Sequence, residues 1–289
     1  MNTKTTIESG QAGVSDLHSR EAAFHDEWAL SVELDERAVR SSFESPVAME
    51  NRSILKQMGP LAGKKLLDVG AGLGESSVYF ALQGAQVTTV DLSPEMVRTA
   101  VRLGEKYGVT LTGVVSSGED LNVDPETFDI VYIANTIHHV QDRQALFEQI
   151  RRCLKPGGRF FSIDPIAYNP VINIYRAMAT KVRTPDEAPL KVADLKMAKQ
   201  FFVNVHHEEF WITTLALFLK YYLIDRIHPN ADRYWKRIYT ETPATLRWWM
   251  PLRAIDSFLT RLPGVRWLSW NIVMWGEKAP DRAAEMRSR

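Results

Sequence analysis

From residue 65 to residue 164, short apolar runs alternate with amphipathic stretches, separated by glycine and polar joints. Lys65, Leu66, Leu67, Asp68 and Val69 form a run too short for a helix and predict a buried strand. Gly70-Ala71-Gly72-Leu73-Gly74 predicts a turn, and 75–83 predicts a short helix stopped by Gly84. Residues 86–91 are β-branched and predict a second strand. Ser93 then reads as an N-cap with Pro94 at the first helical position. Met96, Val97, Ala100 and Val101 make one apolar stripe, and Gly108 ends that helix. Strands follow at 110–116 and 128–134, and a helix at 142–154 with Leu146, Gln149, Ile150 and Cys153 at helical spacing. The turn at 155–158 leads into a fifth strand at 159–163. Strands alternating with helices at this spacing predict βαβ units and a parallel sheet, a doubly wound α/β core.

The flanks read differently. Residues 1–20 are polar and small and predict a mobile tail. Residues 21–60 predict helices, broken at Pro46, that serve as a lid, with residues near Phe43 and Met49 placed to close over a bound ligand from the other side. Residues 61–289 then form the main domain. Beyond position 210 lie seven of the eight Trp residues, interleaved with Tyr, Leu and Arg. Two further strands are predicted at 206–211 and 271–275, with a helical, aromatic-rich insertion at about 213–268 between them.

Composition narrows the function classes. In 289 residues, Lys+Arg and Asp+Glu are 35 each, so no net field draws a phosphate backbone. Cys153 is the only cysteine, which excludes an internal disulfide and a structural zinc site, and no metal is expected. The start of the chain lacks an apolar leader, and the longest apolar stretch, 211–224, contains Lys220 and is too short to span a bilayer. These features predict a soluble, reduced, cytoplasmic protein. Trp and Tyr beside Arg and Lys in the insertion suit a cap over a pocket, a peripheral membrane contact, or a homodimer face.

The chemistry concentrates where the first strand meets its turn. Glycines there let the backbone approach a ligand, and the next helix presents its N-terminal donors. Asp91, ending the second strand, can accept two hydrogen bonds from a ribose diol. A dinucleotide fingerprint, G-x-G-x-x-G, would need glycine where this chain has Glu75. Leu-Leu-Asp-Val-Gly-Ala-Gly-Leu-Gly at 66–74, Val-Asp-Leu-Ser-Pro-Glu-Met-Val at 90–97, Ser-Ser-Gly-Glu-Asp-Leu at 116–121, the segment 128–140 and the Leu-Lys-Pro-Gly-Gly turn resemble the ordered motifs of class I S-adenosylmethionine-dependent methyltransferases, in the group of ubiquinone and menaquinone methylases. The resemblance implies a Rossmann-like seven-stranded sheet with its last strand antiparallel. It further implies S-adenosylmethionine as cofactor and S-adenosylhomocysteine as product. Asp68, Gly70, Ala71, Gly72 and Gly74 would line the methionine part, with Asn135 nearby. Asp91 would hold the ribose. Leu92, Met96, Ser117, Gly118 and Glu119 would surround the adenine, Ser117 standing where relatives usually carry Asp.

His138 and His139 follow the fourth strand and are the candidates for a general base. Asp164 and Tyr168, after the fifth strand, are candidates for the acceptor pocket or for proton handling. Arg183, in the polar loop from Lys181 to Glu187 through Pro185 and Asp186, is a candidate for an anionic acceptor. The leading function is methyl transfer to a small hydrophobic or lipid-like acceptor, on oxygen before nitrogen or carbon. The alternatives are a silent cofactor-binding scaffold and a nucleic-acid methyltransferase using the arginines at 233, 237, 247, 253, 261 and 266.

Overall fold

The computed structural model describes residues 16–31, 39–184, 187–241 and 243–280. The chain enters through α1 (Asp16–Ser31), α2 (Ser41–Glu44) and α3 (Met49–Met58). The α/β alternation follows: β1 (Lys65–Val69), α4 (Glu75–Leu82), β2 (Gln86–Asp91), α5 (Pro94–Lys106), β3 (Leu111–Val115), β4 (Phe128–Ala134), α6 (Arg143–Cys153) and β5 (Leu154–Pro165). Then come α7 (Pro170–Met178), α8 (Val192–Phe201), β6 (Val203–Phe210), α9 (Ala216–Leu219), α10 (Tyr234–Arg237), α11 (Pro243–Leu259) and β7 (Asn271–Glu277).

The seven strands form one sheet in the order β3-β2-β1-β4-β5-β7-β6. Pairs among β1 to β5 are parallel, whereas β7 runs antiparallel to both β5 and β6. The strand order reverses between β1 and β4, which opens a crevice at their carboxyl ends. Helices cover both faces, so the central strands bury both sets of their alternating side chains. Leu67, Val69, Val131 and Ile133 pack with Leu146, Ile150 and Phe202. Leu66, Ile130 and Tyr132 pack on the other face with Ile54, Phe80 and Leu103.

α1 begins inside the stretch expected as a tail, and residues 1–15 and 32–38 lie outside the described residues. β6 begins at Val203 and stops at Phe210, one residue before the expected end. Trp211 leaves the strand with φ 72° and buries its ring, its Nε1–H donating to Glu50 Oε1 at 2.7 Å. The insertion is helical as expected, with the short α9 and α10 followed by the long α11. It owns a third apolar cluster in which Trp211, Phe218, Tyr221, Tyr234, Trp249 and Trp270 pack with Ile172 and Tyr175 of α7. Asp256 of α11 clamps the insertion to the end of β6, accepting from the backbone N–H groups of Ile212, Thr213 and Thr214 at 3.0, 2.7 and 3.2 Å.

Candidate active site

A cavity of about 740 Å³ opens beyond the carboxyl ends of β1, β2 and β4. The glycine turn forms its floor. Gly70, Gly72 and Gly74 have φ of 68°, 55° and 89°, in the left-handed region. A Cβ on Gly70 would lie 2.1 Å from Thr136 Oγ1, and one on Gly74 would lie 2.5 Å from Ala100 Cβ. A Cβ on Gly72 would meet nothing within 4 Å. Two glycines therefore serve packing, while Gly72 leaves a cradle open to the cavity. Gly70 and Ala71 N–H donate to Val90 O, tying the turn to β2.

Asp91 shapes the same turn with its side chain. One carboxylate oxygen accepts Gly72 N–H and the other accepts Ser93 N–H, each at 2.9 Å. Each oxygen keeps a second acceptor site, and the residue lines the cavity, so the carboxylate retains the capacity to hold a diol. Burial raises its pKa, against the pull of the positive fields of His25 and His139. Asp68 is buried and accepts from Ser76 and Ser77 hydroxyls at 2.6 and 2.7 Å. Burial pushes its pKa up to about 6, helped by the charges of Asp91 and Glu75. The open cradle, the spare acceptor sites of Asp91 and the buried Asp68 carboxylate on the cavity wall fit the groups that S-adenosylmethionine would present.

Leu92, Ser117, Gly118, Glu119 and Asn135 also line the cavity. Glu119 is engaged twice: it accepts Asp142 N–H at 2.8 Å and pairs with His18 of α1 at 2.6 Å. Ser117 Oγ accepts Asp120 N–H at 3.1 Å and so shapes its own turn. Gly74 and Met96 are placed differently from the sequence expectation. Gly74 packs on α5 through its close approach to Ala100, and Met96 is fully buried with Ala29 and Leu73 instead of facing the cavity. Their spacing sets them on the turn and helix, but the inward face of α5 takes both into packing. Phe43 lines the cavity, whereas Met49 joins the cluster of the insertion.

His138 and His139 form a short 3-10 turn after β4, their rings 4.2 Å apart, and both line the cavity. Asp164, at the end of β5, lies behind them and not on the cavity wall. Its Oδ1 accepts His138 N–H at 3.1 Å and meets His138 Nδ1 at 2.8 Å. The contact with Nδ1 fixes the ring, whose Nε2 lies 3.9 Å from Glu187 Oε2. Burial drives His138 well below the ordinary imidazole range, with the positive fields of His139 and Arg183 adding to it. Burial likewise drives Asp164 well above the carboxylate range. Both shifts remove charge, so the imidazole is neutral at pH 7. Tyr168 stands apart: it is 41% exposed, and its hydroxyl accepts Val192 N–H at 3.2 Å. The chain turns outward after Pro165, which carries Tyr168 away.

The other walls come from segments the motifs do not mark. On α1, Glu21, His25 and Trp28 share one helical face and reach the cavity. Glu21 Oε2 lies 3.3 Å from His139 Nδ1 and 3.5 Å from His25 Nε2. Burial raises the Glu21 carboxyl, but hydrogen bonds from His139, His25 and Thr184 outweigh it and hold it below the usual range. Asp26 accepts Ser93 Oγ–H and Glu95 N–H at the start of α5, pinning α1 down. From α7 onward, Tyr175, Arg176, Arg183 and Glu187 line the cavity, and Arg233, Trp235, Lys236 and Tyr239 close it. Pro185 and Asp186 of the expected polar loop lie outside the described residues. Among the described residues, two donor sets have spacing that could hold a metal ion: Glu21, His25 and His139, and His138, His139 and Glu187. In both, the carboxylate is already engaged, Glu21 by the histidines and Glu187 by Arg183. The helical spacing at 21, 25 and 28 was a readable signal for one shared face, but no local signal marks Arg176 or Glu187 as neighbours of His138.

A switch-point cavity over a glycine turn and an acidic strand end defines a Rossmann-like cofactor-binding α/β protein. Residues 67–162 match the model of a methyltransferase domain. The ubiquinone biosynthesis O-methyltransferase of Xylella fastidiosa (strain 9a5c) is 39% identical over 103 residues, 35% of this chain and 42% of that protein. The chain thus spans about two fifths of the length of the curated relatives it matches. A Haemonchus contortus phosphoethanolamine N-methyltransferase 2 structure shares the fold, with TM-score 0.55 and 22% identity over 93% of this chain and 61% of that one. So does the cyclase SpnF, with TM-score 0.55 and 17% identity over 85% of this chain and 86% of that one. Over residues 67–162 the chain is thus similar to the methyltransferase domain that these proteins carry.

Proposed function

We propose that this protein transfers a methyl group from S-adenosylmethionine to a hydroxyl of a small, lipid-like acceptor. The observation that carries this reading is one cavity lined by both the Gly72–Asp91 cradle and His138, whose ring Asp164 holds from behind. When bound, the cofactor supplies a methyl already activated on a sulfonium. The chain's own task is to align the acceptor with it, a contribution worth about 7–11 kcal/mol in well-oriented systems. Asp91 holds the diol, Asp68 faces the amino end, and the turn shapes the floor. His138 Nε2 takes the acceptor's hydroxyl proton, while Asp164 keeps the ring oriented. The relatives' quinone-pathway activity and the apolar wall of Ile172, Val182, Trp235 and Ile238 support a lipid-like acceptor. Exposed Leu223, Ile224 and Phe258 on the insertion support peripheral contact with a lipid surface. No helix of the described residues is long and apolar enough to cross a membrane.

The test is a calorimetric titration with S-adenosylmethionine, S-adenosylhomocysteine and NADH, followed by methyl uptake from cell extracts. Binding of the first two without the third, and transfer to an extract component, is the expected result. Binding without transfer to any extract would favour the scaffold reading, which the likeness of a cyclase's fold keeps in view. For the nucleic-acid reading, Arg233 and Arg237 line the cavity and Arg266 pairs with Glu209 at 2.7 Å, which leaves Arg247, Arg253 and Arg261 for an outer surface; retention on heparin with steep salt dependence would favour it.

A further inference from the structure

Opposite the glycine turn the cavity wall is cationic beyond what its own carboxylates balance. Arg183 pairs with Glu187, Lys236 with Glu75 at 2.8 Å, and Arg237 with Asp232 at 2.9 Å. Glu21 is held by His25 and His139. Arg176 and Arg233 have no carboxylate partner among the described residues. Arg176 Nη1 donates only to neutral oxygens, Asn173 Oδ1 at 2.9 Å and Ile166 O at 3.3 Å, and its Nη2 is buried without an acceptor. Arg233 lies 4.3 Å from the Trp28 ring, and its Nε is buried without an acceptor. Tyr175, in the lining of the same cavity, has a buried hydroxyl whose proton finds no acceptor. Burying charged donors without a counter-charge is costly, so such a cluster persists where a ligand brings the missing anion.

We propose that the acceptor is an amphiphile whose anionic head, a carboxylate or a phosphate, is seated by Arg176, Arg183 and Arg233 around the Tyr175 hydroxyl. The proposal rests on the methyltransferase reading and names its substrate class. The charges converge: Tyr175 feels the fields of both Arg183 and Arg233, and Arg176 feels that of Arg183. Burial pulls Arg176 down to about 9 and Arg183 to about 10, which still leaves both charged at neutral pH. A planar guanidinium fork suits the paired oxygens of a carboxylate or phosphate. Ile172, Val182 and Ile238 beside it give the tail an apolar wall.

The experiment is calorimetry on the full chain saturated with S-adenosylhomocysteine, titrated with decanoate, decyl phosphate or decanol. The anionic probes should bind at least about tenfold more tightly than decanol, and the stronger of the two identifies the head. Arg176→Gln should remove that preference while leaving S-adenosylhomocysteine affinity within about twofold, and Arg176→Lys should restore part of it. Equal binding of decanol overturns the proposal. So does an Arg176→Gln variant that loses S-adenosylhomocysteine while keeping the anion preference, because the arginine would then serve the cofactor's own carboxylate. Failure of S-adenosylhomocysteine to bind at all would sink the methyltransferase reading alone, and the same probes titrated without it would still decide this one.

Discussion

The two halves of the cavity are built by different means. The half we propose for the cofactor is backbone: three left-handed glycines, N–H groups tied to Val90 O, and one Asp91 carboxylate bridging the turn to the start of α5. Its parts sit within a few residues of strand ends, so the sheet alone positions them. The other half, which we propose takes the acceptor, is side chains: α7 and the stretch around α10 meet through the aromatic cluster of the insertion, and Asp26 pins α1 beside them to the start of α5. Backbone geometry tolerates few changes and suits a constant ligand, whereas a wall of side chains can be remodelled for a different acceptor without disturbing the sheet.

If that division holds, substitutions in the two halves should separate catalysis from cofactor binding. The largest effect is expected at the boundary: His138→Ala should lower turnover by about 10²–10⁴-fold with S-adenosylhomocysteine affinity unchanged. Undiminished turnover would remove His138 as the base. Because burial holds this imidazole well below its usual range, turnover should stay flat as pH falls through 6.5 and decline only at lower pH, where the ring finally protonates. Next is Asp91→Ala. Two hydrogen bonds to a charged acceptor are worth about 1.5–3 kcal/mol each, so cofactor affinity should fall at least about a hundredfold. An unchanged dissociation constant would refute the ribose role.

A smaller effect sharpens the comparison through pH. Asp68 titrates at about 6 in the free protein, and only its ionised form attracts a cationic amino group. S-adenosylmethionine affinity should therefore be level from pH 6 until the ligand's own amino group loses its proton near about 8, and fall below 6 by at most about tenfold per unit. Asp68→Asn should flatten that profile; a wild-type profile without any break near 6 would show that the carboxylate does not feel the ligand. The smallest effect belongs to Tyr168→Phe. With its side chain off the cavity and its hydroxyl only accepting Val192 N–H, less than about twofold change in turnover is expected, and a larger loss would mean that the acceptor reaches further out than the cavity does.

Periodicity and punctuation already contained the α/β alternation. Val69 and Asp91 end strands, Gly84 and Gly108 follow helices, and Ser93 with Pro94 opens α5, because these are local preferences of backbone and cap. The glycine turn and Asp91 were legible for the same reason, since backbone contacts need particular residues at particular places. Met96 and Gly74 show the limit: the pattern set them on the right elements, but which side of α5 faces the sheet and which faces the ligand is a packing outcome. Asp164 was legible as a polar strand end, yet its place behind His138 depends on β4 and β5 pairing in register, Ala134 opposite Ile163. Only the tertiary structure brought Glu21 to His139 and gathered Tyr175, Arg176, Arg183 and Arg233 into the lining of one cavity. Those encounters link segments far apart in the chain, and no preference of a short segment encodes which distant partner it will meet.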